Sequence, residues 1–490
     1  MRLIAVLLAG LAAACVYGWM PEARLTNNTY ADYSYLGTQR RIVTDTEGRV
    51  HVVWYALNPQ ISTARLQLYY KRWYPEQGWT RDTMLSEDLL LMRTNSIHPS
   101  LAADSSGAVF AVWTGGADEN ASATVYLKRC IPTSSGNGGW ESFAQVLSFN
   151  PPGVQKDCPT VTATPDGHIH VAWLEGTDVM YREWVDSTWE EPVVVPTGSF
   201  YASHPVLAAG RDNRLHLAWY GREGQTGYYR VFYKSRNGTR WGATEEVAST
   251  GRYQMYPSLA VNPLTNAPHL IWQSYPGTGT AGRIVHRWRS DSSGWRPADT
   301  LSERSDTHGQ DFGQLVFTAD GRAHALWTGY STVELAPCQL RYSERSVDGR
   351  WSSPIDLTDT TGSREWPSVA AGGGAAPNEV HAVWTDYRDG NGELYFISTS
   401  VLTSVEEDSP QSGPRISAPA IIARGVLSLQ QGKSGSGFKA VMLDAAGREV
   451  LRLRPGDNDV RRLASGVYFV HFDGSAAPAA DMKVVVACQP

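Results

Sequence analysis

The chain has 490 residues, 42% hydrophobic and 19% charged, with a formal net charge of −6. That balance excludes a disordered polymer, and without a basic cluster no nucleic-acid partner is expected. Eighteen Trp, 23 Tyr and 46 Gly, with no long helical apolar period, point to an all-β chain.

The first segment, MRLIAVLLAGLAAACVYG, carries one Arg, an apolar run over Leu3–Leu11 and the small Ala12-Ala13-Ala14 stretch. It reads as a signal peptide over 1–17, too short to span a membrane, which makes the expected location secreted or on the outer cell surface. Cys15 stands where a lipid-attachment cysteine would, but only Val16, Tyr17 and Gly18 would tether the lipid to folded chain. Cys130, Cys158, Cys338 and Cys488 show no CxxC spacing, so no metal and no cofactor are expected. Four exported cysteines permit three disulfide pairings, and the sequence does not choose among them.

From residue 40 onward one pattern repeats: an apolar strand, a tight turn, and a second strand ending in Trp. RRIVTDTEGRVHVVW (40–54), PTVTATPDGHIHVAW (159–173) and GQLVFTADGRAHALW (313–327) are three of seven instances. The terminal Trp54, Trp113, Trp173, Trp219, Trp272, Trp327 and Trp384 lie 46 to 60 residues apart, the period of a repeat architecture. A third strand follows each, then a polar turn, a second Trp (79, 140, 189, 241, 295 and 351) and a short fourth strand. The seventh unit lacks that fourth strand. GWMPEARLTN (18–27) supplies it: each second-series Trp precedes the next first-series Trp by 30 to 34 residues, and Trp19 precedes Trp54 by 35. The expected fold is therefore a seven-bladed β-propeller over 18–402, its last blade closed by the N-terminal strand. Both Trp series are expected to pack between sheets.

These units resemble the BNR or sialidase-like propeller repeats of exported bacterial proteins, and SVDGRW (346–351), SDSSGW (290–295) and SRNGTRW (235–241) are similar to that family's Asp-boxes, one or two residues short. After an acidic, Pro- and Ser-rich linker (403–415), residues 416–490 alternate like strands of a small β-sandwich. This tail resembles the C-terminal sorting domain of the type IX secretion system, through Asp444, Gly447 and Arg448, the strand Gly466–Val470 and the end Lys483–Val486. The resemblance implies the secretion machinery as a partner.

Propeller sites favour one face around the central channel. Alignment on the first Trp series places one residue per blade at that rim: Gln39, His98, Cys158, His204, Tyr256, Phe312 and Trp366. Arg40, Asp157, Tyr201, Glu175, Arg222, Glu223, Tyr275, Asp386 and Arg388 are expected nearby. Aromatic faces with forked donors suit a glycan, and a glycan or surface protein bound by a non-catalytic monomer is the preferred reading. Its rival, a sialidase-like exo-glycosidase, needs three arginines, a Tyr nucleophile with a Glu base, and an Asp acid. Arg41 sits where the resemblance places the family's first-blade arginine, and rim position alone would cast Arg252 and Arg364, Tyr256 or Tyr201, Glu365 and Asp311 in the other roles. The family's Arg-Ile-Pro reads Arg-Ile-Val at Arg41, and its six blades are one fewer than here. Asp311 with Glu365 would also serve a hydrolase of paired carboxylates.

Two other patterns read as structural. His51, His170, His216, His269, His324 and His381 stand three before a first-series Trp, one per blade, too far apart to share an ion. Asp389, Asn391 and Glu393 alternate oxygens as a calcium loop does but lack its later Gly and Glu, and read as a turn.

Overall fold

Apolar runs joined by Asp-Gly, Ser-Gly and Asn turns fold back as antiparallel hairpins along the repeat region. The computed structural model describes residues 18–399 apart from 35–39, 63–65, 75–76, 87–96, 116–123, 132–138, 149–153, 200, 223, 225–226, 249–252, 278–280, 303–308, 330–337 and 359–361. It further describes segments 421–423, 426–429, 439–443, 448–454, 456–463, 466–473 and 482–486. The expected signal peptide, Cys15, Gln39, Glu223, Arg252, Asp444, Gly447, the 403–415 linker and Cys488 lie outside the described residues.

All regular structure described is β. Residues 1–406 and 407–490 form two compact units. In the first, seven strands begin the repeats: Ile42–Thr44, Ser100–Ala103, Lys156–Ala163, Tyr201–Ala209, Tyr253–Val261, Gln310–Phe317 and Arg364–Ala371. Each pairs antiparallel with the strand that ends in or just after the first-series Trp, and that strand pairs with a third. The resulting sheets have four, five, five, ten, six and four strands; the ten-stranded one arises because Tyr229 pairs in parallel with Tyr253. The seven first strands touch in cyclic order, and Arg364–Ala371 returns to Ile42–Thr44. They surround an axial cavity of about 400 Å³, lined by Ala103, Ala163, Ala209 and Ala371 and crossed by Arg40, whose Nη2 donates to Leu259 O at 3.1 Å. Small side chains at one level of these strands keep the axis open there.

The N-terminal segment forms the outer strand of the last sheet. Ala23–Arg24 pairs antiparallel with Glu393–Ser398, Ala23 opposite Phe396 and Arg24 opposite Tyr395. Met20 N donates to Ser398 O and Leu25 N to Leu394 O, both at 2.8 Å. The alternating acids at 389–393 clamp this strand. Fully buried Glu393 accepts from Thr26 Oγ1 (2.6 Å), Asn28 N (3.1 Å) and Asn391 Nδ2 (3.1 Å), and pairs with Arg24 Nη2 at 2.9 Å. Asp389 pairs with Arg24 Nη1 at 3.3 Å.

The seven first-series tryptophans are the largest fully buried side chains. Apart from Trp189, which donates to Gln145 Oε1, the second series packs edge-on against the third strand of the preceding repeat, with ring centroids 4.9 to 5.4 Å apart: Trp140 on Tyr70, Trp241 on Tyr181, Trp295 on Tyr233 and Trp351 on His286. Trp79 on Phe396 and Trp19 on Tyr342 continue the series across the chain's start. Such edge-to-face pairs each add about 0.5–1.5 kcal/mol beyond area burial.

The repeated histidines bond within their own sheets. Nδ1 meets a tyrosine hydroxyl at His51–Tyr70 (2.7 Å), His170–Tyr181 (2.7 Å), His216–Tyr233 (2.6 Å) and His324–Tyr342 (2.7 Å), His286 at His269, and Ser398 at His381. Cys130, Cys158 and Cys338 are buried thiols, none bonded to another. The second unit holds a five-stranded sheet and a two-stranded one over a small core of Leu427, Ala440, Met442, Leu453, Val460, Tyr468 and Val470.

Two outcomes follow from this packing. Glu393→Ala leaves the buried Thr26 hydroxyl and the half-buried donors of Asn28 and Asn391 without this acceptor, and is expected to cost on the order of 3 kcal/mol in urea unfolding at unchanged slope, whereas Glu191→Ala, at an exposed carboxylate, costs under about 0.5 kcal/mol. Burial also holds the imidazoles of His170, His216, His324 and His381 at pKa values of about 4 against an ordinary 6.5. The unfolded chain takes up these protons first, so stability falls as pH drops from about 6.5 to 4, by up to about 1.4 kcal/mol per pH unit for each histidine. Urea midpoints measured across that range check this, and a flat profile contradicts it.

Candidate functional site

The geometry of the axis is set opposite the first-series tryptophans. In five repeats the register slips there by one residue, so that two residues of the first strand face one Trp: Cys158–Pro159 at Trp173, His204–Pro205 at Trp219, Tyr256–Pro257 at Trp272, Phe312–Gly313 at Trp327 and Trp366–Pro367 at Trp384. The first residue of each bulge is left-handed, with φ of 48°, 48°, 53°, 54° and 52° in chain order. Bulky residues rarely adopt that conformation, and it re-aims the side chain out of the strand's alternation. All five are rim residues of the sequence alignment.

The bulges bring side chains from separate repeats into contact. His98 meets His204 with centroids 5.7 Å apart, His204 meets Tyr256 at 5.0 Å, and Tyr256 meets Phe312 at 5.4 Å. Cys158 Sγ lies 3.5 Å from His98 Nδ1, and Asp157 Oδ1 lies 2.6 Å from the same nitrogen. Trp366 stands against Tyr387, 6.5 Å away. Tyr220 stacks on His204 at 5.3 Å and reaches Tyr256 and Tyr229. Tyr229 in turn meets Tyr253, and the Arg222 guanidinium lies over Tyr201 at 5.2 Å and Tyr229 at 5.4 Å. Tyr201, Tyr229, Tyr253, Tyr256 and Phe312 are all half-buried, so each keeps part of its face for a ligand.

Electrostatics at this layer favour neutral groups everywhere but at Asp157. Burial, reinforced by the neighbouring His98, brings His204 down to about 3, and burial raises the Cys158 thiol well above its ordinary value. Burial also works against ionisation of Asp157, but the His98 imidazole overcomes it and holds the carboxyl below its usual range. Glu365 is pushed up by burial, and Asp311 accepts from Gln273 Nε2 and from Tyr275 Oη at 3.3 Å. Burial, then Asp311, pushes the Tyr275 hydroxyl up.

Of the expected arginine triad, Arg252 lies outside the described residues, and Arg41 and Arg364 are both buried in contacts within the protein. Arg41 is 1% exposed; its Nη2 donates to Trp366 O at 3.1 Å and Pro367 O at 3.2 Å, tying the first repeat to the last. Arg364 is fully buried, pairing Nε with Asp386 Oδ2 at 3.1 Å and donating Nη1 to Gly362 O at 2.7 Å. Asp386, expected at the ligand, is itself buried between Arg364, Arg388 and Trp384 Nε1. Arg388 reaches back to Glu22 and lies over Tyr395 at 4.4 Å. Arg41, Arg364 and Asp386 are thus buried within the protein, contrary to the ligand-contacting roles expected from sequence, and half-buried Arg388 is held by Asp386 and Glu22. Glu175 similarly accepts from Trp173 Nε1 at 3.3 Å.

Solved structures carry the same arrangement of sheets. An ulvan lyase of polysaccharide lyase family PL25 matches with a TM-score of 0.54 at 12% identity, over 75% of this chain and 93% of its own. The BP39L lectin from Burkholderia pseudomallei matches with a TM-score of 0.52 at 12% identity, over 74% and 96%. The chain folds as a β-propeller. No family model and no curated protein matches the sequence.

At the mouth of this propeller, Tyr220, Tyr229 and Tyr253 escaped the alignment. Tyr220 directly follows Trp219, and Tyr253 and Tyr229 sit at the parallel contact between two repeats. Arg364→Met is expected to lower stability by about 3–5 kcal/mol, because it leaves buried Asp386 with one partner fewer. Denaturant unfolding of the variant beside wild type measures this, and a change under about 1 kcal/mol contradicts the structural role of Arg364.

Proposed function

We propose that this protein is an exported seven-bladed propeller that binds a glycan at the channel mouth without turning it over. The blade count takes the ten-stranded sheet as two blades and the N-terminal strand as the outer strand of the last; the cyclic contacts of the seven first strands support it. The observation that carries the ligand class is the row of touching, half-buried rings that successive bulges aim at one axis: His204, Tyr256 and Phe312, with Tyr220 and Tyr229 behind. Ring faces stack on the C–H groups of a pyranose, and Arg222 adds a forked donor for hydroxyls or a carboxylate. The hydrolase reading loses support because two of its three arginines are buried against the protein's own carbonyls and carboxylate. The signal-like segment 1–17 and the sorting-domain motifs of the tail support delivery to the cell exterior.

A glycan-array screen of the full chain, followed by calorimetry on the best class, tests this reading. Tyr256→Ala and Phe312→Ala are each expected to weaken binding by about 1 kcal/mol or more, roughly fivefold in Kd. Release of fluorophore from a sialoside or other exo-glycosidase substrate, or an array with no ligand, contradicts it.

A further inference from the structure

We propose that His98, Cys158 and His204 form a binding site for one divalent transition-metal ion, zinc above all, with Asp157 completing the donor set. The three ligands come from three consecutive repeats, and one donor atom of each lies within 4.8 Å of the others. Zinc bonds of about 2.0–2.1 Å to nitrogen and 2.3 Å to sulfur, at tetrahedral angles, set a nitrogen and a sulfur about 3.5 Å apart. Cys158 Sγ and His98 Nδ1 are 3.5 Å apart.

His204 is the second, independent observation. Its Nδ1 bonds Ser203 Oγ at 2.9 Å, while Nε2 is buried with no hydrogen-bond partner among the described residues. With Nδ1–H donating, Nε2 carries a lone pair and nothing to give it to, which is costly for a buried polar atom. A metal-binding imidazole has this division of labour: an outer group holds one nitrogen and the ion takes the other. Asp157 Oδ1 accepts from Cys158 N at 2.8 Å and stands 2.6 Å from His98 Nδ1; with the His98 proton moved to Nε2, Nδ1 and the neighbouring carboxylate oxygen are both free for the ion.

Charge also balances. On binding, the Cys158 S–H bond breaks, its proton leaves to solvent, and a sulfur–metal bond forms. A dication with one thiolate, one carboxylate and two neutral imidazoles then carries no net charge, as a buried site requires. Nitrogen and sulfur donors select zinc or its transition-metal neighbours over magnesium and calcium, which favour all-oxygen sets. The site shares His204 with the row of glycan-stacking rings.

The full chain, stripped with a chelator and kept reduced, is titrated with Co²⁺. The expected result is one equivalent bound, with the intense visible bands of a four-coordinate ion and a thiolate charge-transfer band, all erased by added Zn²⁺. Cys158→Ser removes the charge-transfer band, and His204→Ala and Asp157→Asn each weaken binding about 10-fold or more. Circular dichroism confirms that each variant is folded. No visible bands in the wild-type titration overturns the proposal by itself, whatever the variants do. Bands that survive both Cys158→Ser and His204→Ala also overturn it.

Discussion

The pairing of Ala23–Arg24 with Glu393–Ser398 is the contact on which the remaining architecture depends. A row of packed sheets has two exposed end faces, and only a contact between the first and last repeats removes them. Here that contact has three layers. Backbone ladders join the N-terminal strand to the last sheet, Glu393 collects the donors of residues 24–28, and Arg41 donates to the carbonyls of Trp366 and Pro367. The last layer also reaches the candidate site, since Trp366 is one of the bulge residues. Closure and site geometry are therefore coupled through one arginine.

Much of this was legible in the sequence, for a physical reason. A Trp must be buried in every repeat, so the two Trp series mark the packing frame, and the odd position of Trp19 reveals the strand donated by the N-terminus. The rim positions followed from the same frame, because the bulge lies directly opposite the Trp. What was not legible was side-chain direction. Arg41 and Arg364 occupy rim-adjacent positions in the alignment, yet both side chains turn inward and bury their charge against carbonyls and Asp386. Likewise Asp389, Asn391 and Glu393 resemble a cation loop by spacing, but their oxygens face the donors of the N-terminal segment instead.

The His98–Cys158–His204 cluster was hidden by the same repeat that revealed the fold. Ligand spacing within one segment is the usual sign of a metal site, and these residues stand about one repeat apart. The six histidines near the Trp positions are separated in space by whole sheets, whereas residues at the bulges converge on the axis. The same convergence accounts for the chain of aromatic contacts from His98 to Phe312. An axis built this way concentrates soft donors and ring faces in one place while leaving its other end lined with alanines.

Amide hydrogen exchange of the folded full chain tests the central claim, that the N-terminal segment is an integral strand of the last sheet. Residues 20–25 and 394–398 are predicted to share one protection level and to lose it together on mild denaturation, because Met20, Leu25 and their partners form one ladder. Rapid exchange at 20–25 with 394–398 still protected would contradict the account.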